Sequence, residues 1–161
     1  MKSNVQFREI QKQDDAAICT IIKKALEEYH DNLPGTAYYD PELAHLSQFY
    51  LANPKRTYLV VTNNGTVIGG CGIGETSVQG VAEVQKLYLS AETRGKGIGK
   101  KLLQLCEERA KNLGYHKLYI ETLSNMTSAL GLYHHVGFKQ LEKPLINSQH
   151  TTCDIWLSKT I

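Results

Sequence analysis

Apolar residues recur along this chain with two periods, and the switches between them mark its elements. Val5–Ile10 reads as a short first strand. Ile18, Ile21, Ile22, Ala25, Leu26 and Tyr29 then follow the 3.6-residue period of a helix, with Asp14 or Asp15 placed to cap it. His30–Tyr39, containing Pro34-Gly35, reads as a loop. Asp40-Pro41 has the form of an N-cap followed by proline in the first helical position, and predicts a second helix to about Leu51. Thr57–Thr62 and Thr66–Glu75 are strand-like runs joined at Asn63-Asn64-Gly65, a hairpin signal. Gly69, Gly70, Gly72 and Gly74 weaken the second run and point to bends or close backbone approach. Val81–Leu89 predicts a strand, and Ile98–Leu113 an amphipathic helix stopped by Gly114. Lys117–Thr122 reads as a strand and Thr127–Val136 as a helix stopped by Gly137. Phe138–Leu141 and Thr151–Ser158 close the chain as strands. The order β-α-α-β-β-β-α-β-α-β-β shows no repeat, linker or low-complexity stretch, and predicts one α/β domain over residues 1–161.

The junction between the strand 81–89 and the helix from Ile98 carries the densest chemistry. Arg94-Gly95-Lys96-Gly97-Ile98-Gly99 lets the backbone curl tightly beside a helix start, where unsatisfied N–H groups and the positive dipole end face an anion. Arg94, Lys96, Lys100 and Lys101 flank it, so a phosphate cradle is the physical reading. Two nucleotide motifs are excluded by spacing. A Walker A loop would need glycine where Arg94 stands and a hydroxyl where Lys101 stands. A dinucleotide fingerprint needs G-x-G-x-x-G, whereas the glycines here are spaced G-x-G-x-G.

Composition narrows the ligand. With 161 residues, 42% of them hydrophobic, the chain can bury a sizeable core. A net charge of +2 implies no general affinity for nucleic acid or a membrane surface. The bases are concentrated at 94–101, which suits a small polyanion. No apolar run approaches the ~18–20 residues of a membrane span, and Met1–Ile10 lacks a signal-peptide core. Cys19, Cys71, Cys106 and Cys153 have no CxxC spacing and fall in predicted helices and strands, so buried thiols in a reducing cytoplasm are the expectation. His134 and His135 are adjacent and cannot both face one ion from a helix, so no metal site is expected.

Arg94–Gly99 fits the pattern Q/R-x-x-G-x-G/A, and Ala129-Leu130-Gly131-Leu132-Tyr133-His134-His135-Val136-Gly137-Phe138 fits A-x-x-L-Y-x-x-x-G-F. With these two motifs in this order, the chain resembles the GNAT superfamily of acyl-CoA-dependent N-acetyltransferases, most strongly over residues 57–140. The resemblance implies a GNAT-like mixed, largely antiparallel sheet of about six or seven strands with helices on both faces. It also implies that strands 81–89 and 117–122 run parallel and splay into a slot for pantetheine. Acetyl-CoA is the implied co-substrate and the activity is acetyl transfer to an amine; the competing reading is a non-catalytic acyl-CoA-binding module.

Roles follow from the same resemblance. Tyr133 is the implied acid for the leaving thiolate; a phenol near pH 10 can protonate a thiolate near 8.5. Glu83 is the candidate base, its carboxyl raised by desolvation on an apolar strand, with Glu75 or water as alternatives. Backbone groups of Leu87, Tyr88 and Leu89 would hold the thioester end, especially if the strand bulges near Leu87. Arg94, Gly95, Lys96, Gly97, Ile98 and Gly99 would hold the pyrophosphate, with Lys100 and Lys101 adding charge. The chain departs from the family where a cofactor-contacting asparagine is common: Met126 stands there, and Asn125, one position early, is the candidate substitute for that cofactor contact. Acceptor recognition falls to the first helices, where Glu27, Glu28, Asp31, Asp40 and Glu42 interleave with Tyr29, Tyr38, Tyr39 and Tyr50. Such a lining suits a small cationic amine. A homodimer is expected from the resemblance alone.

Overall fold

The computed structural model describes residues 2–148 and 150–161. Seven strands form one sheet: β1 (Val5–Glu9), β2 (Thr57–Asn63), β3 (Thr66–Glu75), β4 (Val81–Leu89), β5 (Lys117–Thr122), β6 (Lys139–Leu141) and β7 (Ile155–Thr160). Four helices accompany them: α1 (Asp15–Glu28), α2 (Leu46–Leu51), α3 (Ile98–Asn112) and α4 (Thr127–His135). The spatial order is β1-β2-β3-β4-β5-β7-β6. Every neighbouring pair is antiparallel except β4 and β5, which are parallel.

Strand alternation divides the core into two halves, one on each face of the sheet. In β2, Tyr58 and Val60 join Ile18, Ile22, Leu26, Leu46 and Tyr50 of α1 and α2. Leu59 and Val61 point the other way, onto Leu102, Leu103 and Cys106 of α3 and Tyr133 of α4. Both faces of β2 are therefore covered, which explains its almost uninterrupted apolar run. Two glycines of β3 make room for the first half. A Cβ on Gly70 would stand 2.4 Å from the Tyr58 ring, and one on Gly72 would stand 2.6 Å from it. Close approach, not bending, accounts for the glycines at these two positions.

The second helix departs from the sequence expectation. It begins at Leu46, preceded by single 3-10 turns at Ala37–Tyr39 and Leu43–His45. Asp40 does not cap it, because its buried carboxylate is bonded to Lys86 and His150. The last strand begins at Ile155 rather than Thr151, since Thr152 Oγ1 donates to the Pro34 carbonyl at 2.7 Å and draws that segment towards the 31–40 loop. Cys153 consequently lies in a loop. Cys71 and Cys106 are buried, whereas Cys19 and Cys153 are only half-buried; all four are free thiols.

The parallel pair has the greatest consequence for function. β4 and β5 pair only at Val81–Lys117, Ala82–Leu118 and Glu83–Tyr119. Beyond Glu83, β4 stays with β3 as far as Leu89, and β5 stays with β7 as far as Thr122. The sheet opens there, as the splay implied.

Candidate active site

β4 bulges where the sheet opens. Gly70 pairs with Tyr88 and Gly72 with Gln85, so β4 carries one residue more than β3 between these pairs. Lys86 absorbs the irregularity with a left-handed φ of 52°. Its carbonyl accepts from the buried Tyr58 hydroxyl at 2.8 Å, and its ammonium lies 2.8 Å from Asp40 and 3.3 Å from Glu42. Side chain and backbone together thus lock the bulge predicted near Leu87.

Past Leu89 the chain passes through the glycine turn. Gly95 and Gly97 have φ of 78° and 81°, in the left-handed region, and Gly97 is the N-cap of α3. The helix's first capping bond runs from the Lys101 N–H to the Gly97 carbonyl, which leaves Ile98, Gly99 and Lys100 as the orphan donors of a helix start. Arg94 is anchored within the protein: it donates to the Leu89 carbonyl at 3.2 and 3.1 Å and pairs with Glu28 of α1 at 2.7 Å.

A cavity of about 320 Å³ lies over this turn, in the gap between β4 and α4. Leu87, Tyr88, Leu89, Arg94, Gly95, Gly97, Gly99 and Lys100 all reach it, as do Met126 and Leu132. Of the remaining cofactor candidates, Lys96 is exposed at the turn and Ile98 is half-buried against the core. Tyr133 is not among the residues that line this cavity: it is 6% exposed, packed in the core with its ring 6.0 Å from Phe138. Burial pushes its phenol pKa well up, which keeps the hydroxyl protonated and makes it a weaker acid than the ordinary phenol assumed from sequence. Asn125 points elsewhere. Its amide donates to the Asp31 carboxylate at 3.0 Å and to the Tyr29 carbonyl at 3.2 Å.

A second cavity, about 60 Å³, opens on the other side of Tyr88 and Met126, which line both. Glu83, Gln85, Lys86, Glu121, His150 and Cys153 surround it. Burial raises the Glu83 pKa; a hydrogen bond from Gln85 opposes the rise and the charge of Glu121 adds to it. That bond is 2.8 Å long, and Gln85 is oriented in turn by the Tyr50 hydroxyl at 2.7 Å. Glu121 accepts from Tyr119 at 2.8 Å through one oxygen, while the other is buried without a partner. Glu75, the alternative base, is clamped by Arg56 at 2.7 Å, and this hydrogen bond lowers its pKa.

The expected acidic lining of the first helices is largely spent on internal pairs. Glu27 accepts from Tyr38, Glu28 pairs with Arg94, and Asp31 binds Asn125. Asp40 and Glu42 neutralise Lys86. The carboxylates that line the small cavity come instead from β4 and β5, as Glu83 and Glu121. His150 and Lys86 were not singled out from sequence; His150 meets Asp40 across a sequence separation of 110, which no local pattern records. Among the described residues no group of His, Cys, Asp and Glu is arranged to hold a metal ion. No described helix is long and apolar enough to cross a membrane.

Comparison with known proteins converges on one family. A model of the acetyltransferase (GNAT) family matches residues 20–138. The uncharacterised N-acetyltransferase YjgM of Escherichia coli strain K12 is 34% identical over 152 residues, covering 92% of this chain and 90% of YjgM. A GNAT-family acetyltransferase from Staphylococcus aureus Mu50 has the same fold at a TM-score of 0.86 and 17% identity, over 98% of this chain and 99% of the other. A second structural match is YncA of Salmonella typhimurium, a putative acetyltransferase solved with its cofactor acetyl-CoA. It has a TM-score of 0.75 and 23% identity, over 98% of this chain and 94% of that one.

Proposed function

This chain belongs to the GNAT family of acetyltransferases, and we propose that it moves an acetyl group from acetyl-CoA to the primary amine of a small cationic acceptor, by direct transfer in a ternary complex. One observation carries this reading: the large cavity over the glycine turn and the small carboxylate-lined cavity adjoin at Tyr88 and Met126, where β4 and β5 part. A donor on one side and an acceptor on the other would meet there without a covalent enzyme intermediate.

The amides of Gly95 to Lys100 would receive the pyrophosphate, with the Lys100 ammonium beside them. The thioester end would lie along Leu87, Tyr88 and Leu89, where an N–H freed by the bulge can polarise the carbonyl oxygen. An alkylammonium holds its proton to about pH 10, so the acceptor must lose one before it attacks. Glu83, which lines the small cavity, would take it, directly or through water, and its raised pKa brings it nearer to the working range. Tyr133 would donate to the departing thiolate. Lys86 and His150 offset only part of the negative charge of Glu83, Glu121, Asp40 and Glu42, which supports a cationic rather than anionic acceptor.

The test is thiol release from acetyl-CoA with 1,4-diaminobutane, n-butylamine and 4-aminobutanoate, which differ in charge at similar length. The diamine should react fastest. Tyr133→Phe should lower kcat about 100-fold while leaving the acetyl-CoA Kd within about twofold. Unchanged turnover, with chemistry limiting, removes Tyr133 from its role. Tight acetyl-CoA binding without thiol release from any amine would favour a binding module instead.

A further inference from the structure

Glu83 leaves one chemical problem unsolved. Its hydrogen-bonded chain runs through Gln85 to Tyr50, a fully enclosed phenol, so no proton leaves in that direction. A proton taken by Glu83 must return to solvent through the small cavity before the next turnover.

His150 lines that cavity from the segment between β6 and β7. Its Nε2 lies 2.8 and 2.9 Å from the two oxygens of Asp40. An ionised carboxylate only accepts, so Nε2 carries the hydrogen and Nδ1 keeps the lone pair when the ring is neutral. Nδ1 has no hydrogen-bond partner among the described residues. Asp40 is fixed from its other side by Lys86, and the segment following His150 is tied down through Thr152 to Pro34 and Gly35. The ring is oriented before any substrate arrives.

The other groups facing the ring do not serve as an exit. On β4, Lys86 is a paired ammonium with no lone pair. On β5, the unpartnered oxygen of Glu121 is sealed from solvent. Cys153, beside it, is pushed up to about 12 by burial and the neighbouring carboxylates, and stays a neutral thiol. The His150 side chain is 20% exposed and so touches both cavity and solvent.

We propose that His150, oriented by Asp40, is the residue through which the proton taken from the acceptor amine leaves the cavity. The inference rests on the acceptor-side reading of Glu83 given above. An ammonium N–H bond breaks, its electron pair stays on nitrogen, and the proton goes to a Glu83 oxygen. That O–H bond then breaks as Nδ1–H forms, directly or across cavity water, and the imidazolium releases its proton to buffer. Burial pulls the imidazole pKa down, but the hydrogen bond and charge of Asp40 outweigh it, against Lys86. The His150 and Glu83 pKa values are both raised, which suits transfer between them in a neutral range.

The experiment uses the full chain, saturating acetyl-CoA and whichever amine of the three gives the fastest thiol release. His150→Ala should lower kcat about tenfold or more, with the acetyl-CoA Kd within about twofold, and added imidazole should restore turnover saturably. Asp40→Asn should move the acidic limb of the pH profile to lower pH, because the group that raises the imidazole is gone. His150→Gln, which can still bond Asp40, should remain as slow as His150→Ala, and it carries the test if the alanine variant is unstable. Full activity in His150→Gln, or a loss that imidazole does not touch in a folded variant, overturns the proposal. If wild-type enzyme releases thiol with none of the three amines, the acetyl-transfer reading falls and this proposal with it, an outcome distinct from failure of His150 alone.

Discussion

The two cavities that adjoin at Tyr88 and Met126 are built by opposite means. The cavity proposed for the cofactor has a backbone-built end: consecutive residues from Gly95 to Lys100 form a helix start, with left-handed turns at Gly95 and Gly97. The cavity proposed for the acceptor is lined by side chains that converge from distant places, Glu83 and Lys86 on β4, Glu121 on β5 and His150 before β7, with Asp40 and Glu42 before α2 bonded to Lys86. A site of the first kind is fixed by local sequence and binds the part of a ligand that never changes. A site of the second kind exists only when the fold is complete, and single substitutions can retune it.

The largest expected effect tests whether the acceptor half depends on its buried charges. The Lys86 side chain is 4% exposed and pairs with Asp40, 5% exposed, and with Glu42. Lys86→Met preserves length and removes the charge, leaving Glu42 without its cation and Asp40 with His150 alone. Breaking a buried pair from one side costs about 3–5 kcal/mol, so denaturant melts should show a loss of that order. A melt within about 0.5 kcal/mol of wild type would mean that the cluster does not hold the bulge.

The cofactor half should respond in the opposite sense, losing ligand affinity more than stability. Beyond its chain neighbours, no atom lies within 4 Å of a Cβ built on Gly97, so an added β-carbon has open space. The obstacle is the left-handed backbone, which costs a non-glycine residue about 1–2 kcal/mol, most for a β-branched one. Gly97→Val should relax towards an ordinary conformation and turn its neighbours' amides away from the anion. Calorimetry should then find acetyl-CoA binding weakened about tenfold, the equivalent of about 1.4 kcal/mol, with little change in the melt. An unchanged Kd would show that the turn tolerates another backbone path.

The same contrast explains how much was legible in the sequence. The strands from Thr57 to Leu89, helix α3 and the turn between them were readable because their signals are local: period, hairpin glycine and helix stop. Gly70 and Gly72 pointed to bends or close backbone approach, and the rings of Tyr58 and Tyr50 that in fact require them were invisible. Asp40-Pro41 misled because a capping aspartate and a buried ion-pair aspartate look alike until Lys86 and His150 are placed beside it. The acidic residues of α1 and its loop looked like an acceptor lining for the same reason; their partners Tyr38, Arg94 and Asn125 are contributed by other segments. Glu83 was nominated through the family resemblance, whereas His150 shares no local pattern with anything it touches.

Asn125 marks the border between the two halves, and the smallest effect is expected there. A displaced family asparagine would serve the cofactor side, but this one spends its amide on Asp31 and the Tyr29 carbonyl, tying the start of α4 to the end of α1. Asn125 is exposed, so water can replace the donor that Asp31 loses. Asn125→Ala should therefore cost about 1 kcal/mol or less and leave the acetyl-CoA Kd within about twofold. A tenfold loss of affinity in a variant that melts like wild type would mean that the amide leaves Asp31 and turns to the cofactor on binding. The glycine turn would then not be the sole cofactor contact supplied by polar groups, and the division between a backbone-built side and a side-chain-built side would have to be redrawn at α4.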